Sequence, residues 1–167
     1  MSPDIRPAAT GDEALLAGLN AFVQELHVGR RPDHFKPTQS ADLATSYRAL
    51  LETATSRIWI AEENGVPVGY LLAIVHEASE NPFARARRWC EIDQVAVDPS
   101  RRRRRIARAL ILNAVSWAKT EGVSHIEAAS WSFNDGAHEL FGGLALSQRR
   151  HASNCSCRTR DERQMRH

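Results

Sequence analysis

The spacing of the hydrophobic residues changes along the chain, and each change predicts where helices give way to strands. In the first third these residues recur every three or four positions, as on the buried face of a helix: Leu15, Leu16, Leu19, Phe22, Val23 and Leu26. Thr10 and Glu13 stand at the spacing of a capping box, so we expect them to start this helix. A loop rich in Gly and Pro follows, and Ser40 with Asp42 is expected to open a second helix.

β-branched and aromatic residues dominate the next section, which predicts a hairpin. Ile58–Ala61 and Val68–Val75 are two strand-like runs separated by Asn64-Gly65, a pair typical of tight β-turns. The stretch "WCEIDQVAV", residues 89–97, predicts a further strand. It is expected to end at Asp98-Pro99, because proline cannot donate a hydrogen bond to a neighbouring strand.

Helical spacing returns at Ile106 and is expected to stop at Gly122, before a strand over residues 123–131 and a last helix from Asn134 to about Leu144. An extended start is expected around Ile5. The interleaved helices and strands, together with the hairpin, predict an α/β fold of the mixed α+β kind, with helices on both faces of a mixed sheet. No repeat or linker divides the chain, so we expect one domain over residues 1–167.

Composition narrows the classes of protein and the compartment. Apolar residues make up 43% and charged residues 25% of the 167 residues, as in folded globular proteins. The three cysteines, Cys90, Cys155 and Cys157, indicate free thiols in a reducing compartment. No run has the length of a signal peptide or a membrane span, so we expect a cytoplasmic protein with no membrane partner. His151, Cys155, Cys157 and His167 lack the usual spacing of zinc ligands, and no metal is expected.

Five consecutive arginines stand out in "VDPSRRRRRIARAL", residues 97–110, although the net charge of the chain is only +2. A strand, a proline, a tight basic loop and a helix form an arrangement suited to phosphate, because free backbone N–H groups and the helix dipole converge at the loop. A solvated helix start is the plain alternative. A nucleic-acid-binding module is another, but no aromatic or polar base readers flank the run, so we expect no nucleic-acid partner.

Together with "SFNDGAHELF", residues 132–141, this stretch resembles the GNAT superfamily of acyl-CoA-dependent N-acyltransferases, from Ile5 to about Ala145. The resemblance implies a mostly antiparallel central sheet with a splayed parallel strand pair, flanked by about four helices. It also implies that loop amides bind the coenzyme A pyrophosphate. The matching residues are Arg102, Arg103, Arg104, Arg105, Ile106, Ala107 and, directly after them, Arg108. Arg105 replaces a glycine of the family pattern, and we expect a helical backbone there, which would make the replacement cheap.

The resemblance assigns roles to residues of the predicted site as well. Val95, Ala96 and Val97 would lie along the pantetheine arm, with an amide near Val95 polarising the thioester carbonyl. Asn134 is a good N-cap and would also bond to the arm. Phe141 stands where a tyrosine often protonates the leaving thiolate; it has no proton to give but could pack against the arm. Ala145 and Leu146 replace the family's Gly-Phe pair.

The implied reaction is attack of an amine on acetyl-CoA, with Asp93 or Glu91, two residues apart on one strand face, as candidate base. The acceptor is an amine of unknown identity, in a pocket shaped by residues 27–37 and 76–89. The alternative of a relative that binds acyl-CoA without turnover stays open.

A homodimer is plausible from the family alone. The tail, residues 147–167, departs from the family, and a frayed or swapped terminal strand is expected there.

Overall fold

The computed structural model describes residues 3–131, 134–144 and 146–151. Strands and helices follow one another in the predicted order, with a short 3-10 turn at Pro99–Arg101. The strands are β1 (Asp4–Pro7), β2 (Ser56–Glu63), β3 (Val66–Ala78), β4 (Arg87–Val97), β5 (Ile126–Trp131) and β6 (Ser147–His151). The helices are α1 (Glu13–Arg30), α2 (Ser40–Glu52), α3 (Ile106–Thr120) and α4 (Asp135–Gly142).

The strands form one sheet in which they lie in chain order. β1 to β4 pair antiparallel, whereas β4, β5 and β6 pair parallel. The hairpin between β2 and β3 turns at Asn64 (φ 52°) and Gly65 (φ 74°), the two positive φ values that a tight turn of this kind requires. The predicted mixed sheet, mostly antiparallel with a parallel pair, is confirmed.

Each face of the sheet is covered by two helices. Successive side chains of a strand point to opposite faces, so both faces of this sheet carry apolar side chains that the helices bury. On β3, Tyr70 and Leu72 face α1 and α2, where they pack in one buried cluster. Leu71 and Ala73 belong to the other cluster, which includes residues of α3 and α4. The prediction of helices on both faces is confirmed.

The start of α1 differs from the predicted capping box. The helix begins at Glu13, with Asp12 rather than Thr10 at the N-cap position. Asp12 accepts hydrogen bonds from Arg6 at 2.8 and 3.0 Å, so its carboxylate joins β1 to the helix instead of capping helical amides. The capping-box prediction was therefore wrong, since an ion pair between the first strand and the residue before the helix outweighs the local pattern.

The sheet opens between β4 and β5. These strands pair only where Cys90, Glu91 and Ile92 face Ile126, Glu127 and Ala128. A bulge lies just beyond: Leu72 of β3 pairs with Gln94 and Ala73 with Ile92, which leaves Asp93 as the extra residue. Because a bulge bends its strand, β4 turns away from β5 at this point. The expected splayed pair is present.

Part of the tail can be compared with expectation. Ser147–His151 forms β6, which pairs with β5. The predictions for Ala145 and for residues 152–167, which include Cys155, Cys157 and His167, fall outside the described residues. Cys90 is a free, buried thiol, and burial raises its pKa to about 11.

Candidate active site

A cavity of about 310 Å³ occupies the opening between the two strands. Its walls come from β4, from β5 and α4, and from α1 with the loop that follows it. The lining residues are Asn20, Val23, Gln24, His27, Phe35, Glu91, Ile92, Asp93, Gln94, Val95, Ala129, Ser130, Trp131, Asn134, Ala137 and Phe141. The four residues of α1 fall at helical intervals, so a single face of that helix forms the wall.

The cavity unites part of the predicted site. Its lining includes Glu91, Asp93, Val95, Asn134 and Phe141. Ala96, Val97 and the loop residues are not in its lining; Ala96 is buried beneath α1 and α2, and Val97 packs against the opposite cluster. Of the two loops expected to shape an acceptor pocket, residues 27–37 contribute His27 and Phe35, whereas no residue of 76–89 contributes.

Asp93 and Glu91 make this cavity acidic. Although Asp93 ranks among the exposed residues, protein atoms surround its carboxyl, and the resulting desolvation raises its pKa. The negative charge of Glu91 raises it further, while a hydrogen bond from the Gln94 side chain and the charge of His76 lower it. Glu91 Oε2 lies 3.0 Å from His76 Nε2. A group that holds a proton more tightly than an ordinary aspartate is better suited to accept one.

The basic loop follows β4 directly and enters α3 through two residues in left-handed conformation. Arg103 has φ 63°, and Arg105 has φ 63° and ψ 13°. The expectation of a helical backbone at Arg105 was wrong. Arg105 is the N-cap of α3 and precedes its first turn, so no helical hydrogen bond fixes its φ, and the path of the loop requires the left-handed region.

The amides of this loop are free of protein partners. Within the described residues, no backbone N–H from Arg102 to Arg108 donates a hydrogen bond. Arg101 and Arg104 are paired with Glu63 at 3.1 and 3.3 Å, which anchors the loop to the β2–β3 hairpin. The other arginines, Arg102, Arg103, Arg105 and Arg108, form no ion pair with the described residues. A set of free amides at a helix N-terminus, surrounded by guanidinium groups, is suited to binding an anion.

This geometry coincides with a family match. The Acetyltransferase (GNAT) family profile matches residues 22–143, which is more than half of the chain. The chain belongs to this family. The resemblance inferred from the arginine loop and the Asn134 segment is thereby confirmed.

Solved structures share the fold of this GNAT chain. A mutant of the BH1408 protein from Bacillus halodurans has a TM-score of 0.80 at 23% identity and covers 95% of this chain and 98% of its own. The aminoglycoside N-acetyltransferase AAC(6')-Iy in complex with CoA gives 0.68 at 19% identity, with coverages of 87% and 88%. A predicted acetyltransferase from Clostridium acetobutylicum, with acetyl-CoA, gives 0.70 at 17% identity, with coverages of 88% and 91%. No curated protein sequence matches significantly.

An aromatic cluster closes one side of the cavity in this GNAT fold. Phe35 stacks on His27, with ring centroids 4.7 Å apart, and meets Trp131 of β5 edge-on at 5.3 Å. His34 contacts the same tryptophan at 5.1 Å. The loop after α1 therefore bridges the opening to β5. This cluster was not predictable from the sequence, because contacts between residues so far apart in the chain leave no local pattern.

A buried polar network forms the floor beside Asp93. Tyr47 and Tyr70 hydroxyls lie 2.7 Å apart, and each lies within 2.8 Å of Gln94 Oε1. Asn20 Nδ2 donates to the Tyr70 hydroxyl at 2.8 Å. Asn20 was also missed, although a signal exists: it is a polar residue at a position where the spacing of Leu16, Leu19 and Val23 predicts an apolar one.

The described part of the chain shows neither a metal-binding cluster nor a helix suited to a membrane. No three His, Cys, Asp or Glu side chains there come together in a way that could hold a metal ion. None of its helices combines the length and the apolar character needed to cross a membrane.

Proposed function

We propose that this protein is an N-acetyltransferase that transfers the acetyl group of acetyl-CoA to a primary amine. The observation that carries the proposal is the opening between β4 and β5 directly beside a loop of unpaired amides. An unpaired strand edge can form hydrogen bonds with the extended pantetheine arm of coenzyme A, which contains amide groups. The free loop amides can bind the diphosphate to which that arm is joined. Membership of the GNAT family supports the same pairing of features.

The loop would bind the pyrophosphate through its main chain. The amides of residues 102–108 are free to donate, and the N-terminus of α3 adds the positive end of its dipole. The unpaired guanidinium groups, such as those of Arg102 and Arg103, are free to add charge. Arg104 contributes less, because Glu63 already accepts from it. Since these contacts are exposed, salt weakens them.

The strand opening would hold the pantetheine arm and the thioester. Beyond Ile92 the edge of β4 that faces β5 has no strand partner among the described residues. Main-chain groups alternate along a strand and Ala96 pairs with Tyr70 of β3, so the groups of Val95 and Val97 are the ones available to the arm. An amide near Val95 that donates to the thioester carbonyl would lower the barrier by ~3–4 kcal/mol. Asn134 Oδ1 accepts from Ala137 N at 3.2 Å, so its amide nitrogen is the end available to the arm. Phe141 adds an apolar wall.

Acetyl-CoA supplies a thioester whose acyl carbon is electrophilic. The amine lone pair forms the new N–C bond while the C–S bond breaks and its electron pair leaves with the sulfur. An amine with pKa near ~10 is protonated at neutral pH, and freeing it costs ~4 kcal/mol. Asp93 is the better placed base, since its pKa is raised, and Glu91 is the second candidate. The sulfur can leave as thiolate without an acid at Phe141, because thiols have a pKa near ~8.5.

The acidic and aromatic walls favour a cationic amine as acceptor. Glu91 and Asp93 would attract its charge, and His27, Phe35 and Trp131 would contact an apolar or ring-shaped body. Aminoglycosides are one candidate class, since an aminoglycoside N-acetyltransferase shares the fold.

The first test is stabilisation by acetyl-CoA. At a concentration ~100 times its Kd, a ligand adds ~2.7 kcal/mol, or about 5–10 °C in Tm for a domain of this size, and the shift should shrink at 1 M salt. Ala107→Glu places a carboxylate in the first turn of α3. The helix dipole stabilises a negative charge there, but the carboxylate repels a diphosphate bound at the loop. It should abolish the shift, whereas Asn113→Glu, an exposed change farther along α3, should preserve it.

Turnover is measured separately, by thiol release from acetyl-CoA with a panel of amines. Release that depends on the amine supports the transferase. Binding without release from any amine identifies a non-catalytic acyl-CoA-binding relative. A shift that is absent, or that survives Ala107→Glu, contradicts the loop assignment.

A further inference from the structure

Asn20 is a buried polar residue on the cavity wall with one end of its amide unmatched. The residue is 6% exposed, and its Nδ2 donates to Tyr70, while its Oδ1 has no hydrogen-bond partner in the described part of the chain. Leaving such a group buried and unpaired costs ~1–3 kcal/mol. The same cavity is lined by Asp93 and Glu91. Asn20 therefore lines the site already described, beside both candidate carboxylates.

The neighbouring groups dictate which end of the Asn20 amide is unmatched. Gln94 presents its Oε1, and not its NH₂ group, to the two tyrosine hydroxyls. Burial raises the pKa of Tyr70 to about 12 and raises that of Tyr47 too, so each phenol keeps one proton. The oxygens of Tyr47, Tyr70 and Gln94 make three short contacts, and two protons are available to bridge them.

Both tyrosine protons are consequently used among these three oxygens. Tyr70 has none left for Asn20 and can only accept, which requires Asn20 to present its NH₂ group to Tyr70. The reverse orientation would add a further short oxygen–oxygen contact with no proton to bridge it. The Gln94 Oε1 acceptor thus fixes the direction of the hydrogen bonds in the network, and Asn20 Oδ1 remains as an acceptor without a partner in the described part of the chain.

We propose that Asn20 Oδ1 accepts an N–H of the acceptor amine, and that this contact makes the site selective for primary over N-methylated amines. The inference rests on the proposed function. A neutral primary amine has two N–H groups in addition to the lone pair that attacks the thioester. One proton goes to the carboxylate side of the cavity, and the other N–H satisfies Asn20. A secondary amine has one N–H and leaves the asparagine oxygen unpaired.

The test compares 2-phenylethylamine with its N-methyl derivative, since an aromatic ring suits the wall of His27, Phe35 and Trp131. Wild-type protein should use the primary amine with a kcat/KM at least tenfold higher. Asn20→Leu, which keeps the size but has no acceptor, should reduce that preference to about twofold or less, chiefly by slowing the primary amine. Asn20→Ala repeats the measurement if the leucine variant does not fold.

A structural role for Asn20 makes a different prediction. Tyr70→Phe removes the partner of Asn20 Nδ2 but leaves Oδ1 in place, so it should retain the preference for the primary amine even if its overall rate falls. Equal losses for both amines in Asn20→Leu, or loss of the preference in Tyr70→Phe, would overturn the inference.

Binding separates this inference from the proposed function. With coenzyme A saturating, the Kd of 2-phenylethylamine is measured by calorimetry. Asn20→Leu should weaken binding about tenfold, and Gly18→Ala, an exposed change on the same helix, should leave it unchanged. If no amine is acetylated but this difference is found, the transferase proposal fails and the Asn20 contact stands. If Asn20→Leu binds the amine as wild type does, or wild type does not bind it, the contact is refuted.

Discussion

The left-handed conformation of Arg105 allows a sharp test, because the same substitution at the neighbouring residue should have the opposite effect. Arg105 has φ 63°, whereas Arg104 is not among the residues with positive φ. A side chain in the left-handed region costs roughly 1–2 kcal/mol, and the extra freedom of glycine in the unfolded chain costs ~0.5–1 kcal/mol. Arg105→Gly should therefore stabilise the protein by about 0.5–1 kcal/mol, or about 1–4 °C in Tm.

Arg104→Gly has no strain to relieve. It pays the same entropy and also loses the ion pair with Glu63, an exposed contact at 3.3 Å. Such pairs contribute ~0–1 kcal/mol, so this variant should be destabilised by about 0.5–2 kcal/mol. Both substitutions remove one positive charge from the same run, so relief of charge repulsion cancels in the comparison.

Urea unfolding of the two variants and the wild type measures the difference, with m-values checked for constancy. Repeating the series at 1 M salt removes what remains of the charge effects. The reasoning is refuted if Arg105→Gly is destabilised as much as Arg104→Gly, since the left-handed backbone would then carry no cost.

Two more predictions concern β4 and its neighbours. The raised pKa of Asp93 means that the folded protein binds that proton more tightly than the unfolded chain, so stability falls as pH rises from 3.8 through the raised value. Asp93→Asn should thus be more stable than wild type at pH 7, and this gain in unfolding free energy should disappear towards pH 3.8. Its transfer rate should fall ~10²–10⁴-fold. A gain in stability that does not depend on pH would contradict the prediction. Gly69→Ala would bring a Cβ to 2.7 Å from the Ala96 carbonyl oxygen. It should destabilise the protein by ~1–3 kcal/mol and weaken acetyl-CoA binding. Gly18→Ala, whose Cβ would have nothing within 4 Å, should instead stabilise the helix by ~0.5–1 kcal/mol. Equal changes in unfolding free energy for the two variants, measured by calorimetry, would contradict the close approach at Gly69.

The elements with strong local signals were predictable from the sequence. The Asn64-Gly65 hairpin was predictable because few residue pairs accept two positive φ values in succession. The loop between Pro99 and α3 was predictable because proline ends β4 and the helical spacing restarts at Ile106. In both places the residues themselves restrict the backbone.

Features that depend on distant partners were not predictable in the same way. The bulge at Asp93 arises from the register between β3 and β4, and a single strand does not reveal its register. The cap at Asp12 was missed because Arg6 is the partner of its carboxylate. The contact of Phe35 with Trp131 joins the loop after α1 to β5. These contacts decide the shape of the cavity, so the basic loop was more predictable from the sequence than the walls of the cavity.

The three-residue pairing of β4 with β5 leaves main-chain groups of both strands without a strand partner in the described part of the chain. Where β4 and β5 separate, each strand has an unpaired edge inside the sheet, and the main-chain groups of these edges need water as a hydrogen-bond partner. Proteins ordinarily protect unpaired strand edges, because any extended chain can pair with them. Here the bridge between Phe35 and Trp131 crosses the gap, which restricts what can enter. An extended molecule that paired with both edges would complete the sheet, so its binding and the completion of the fold would be one event.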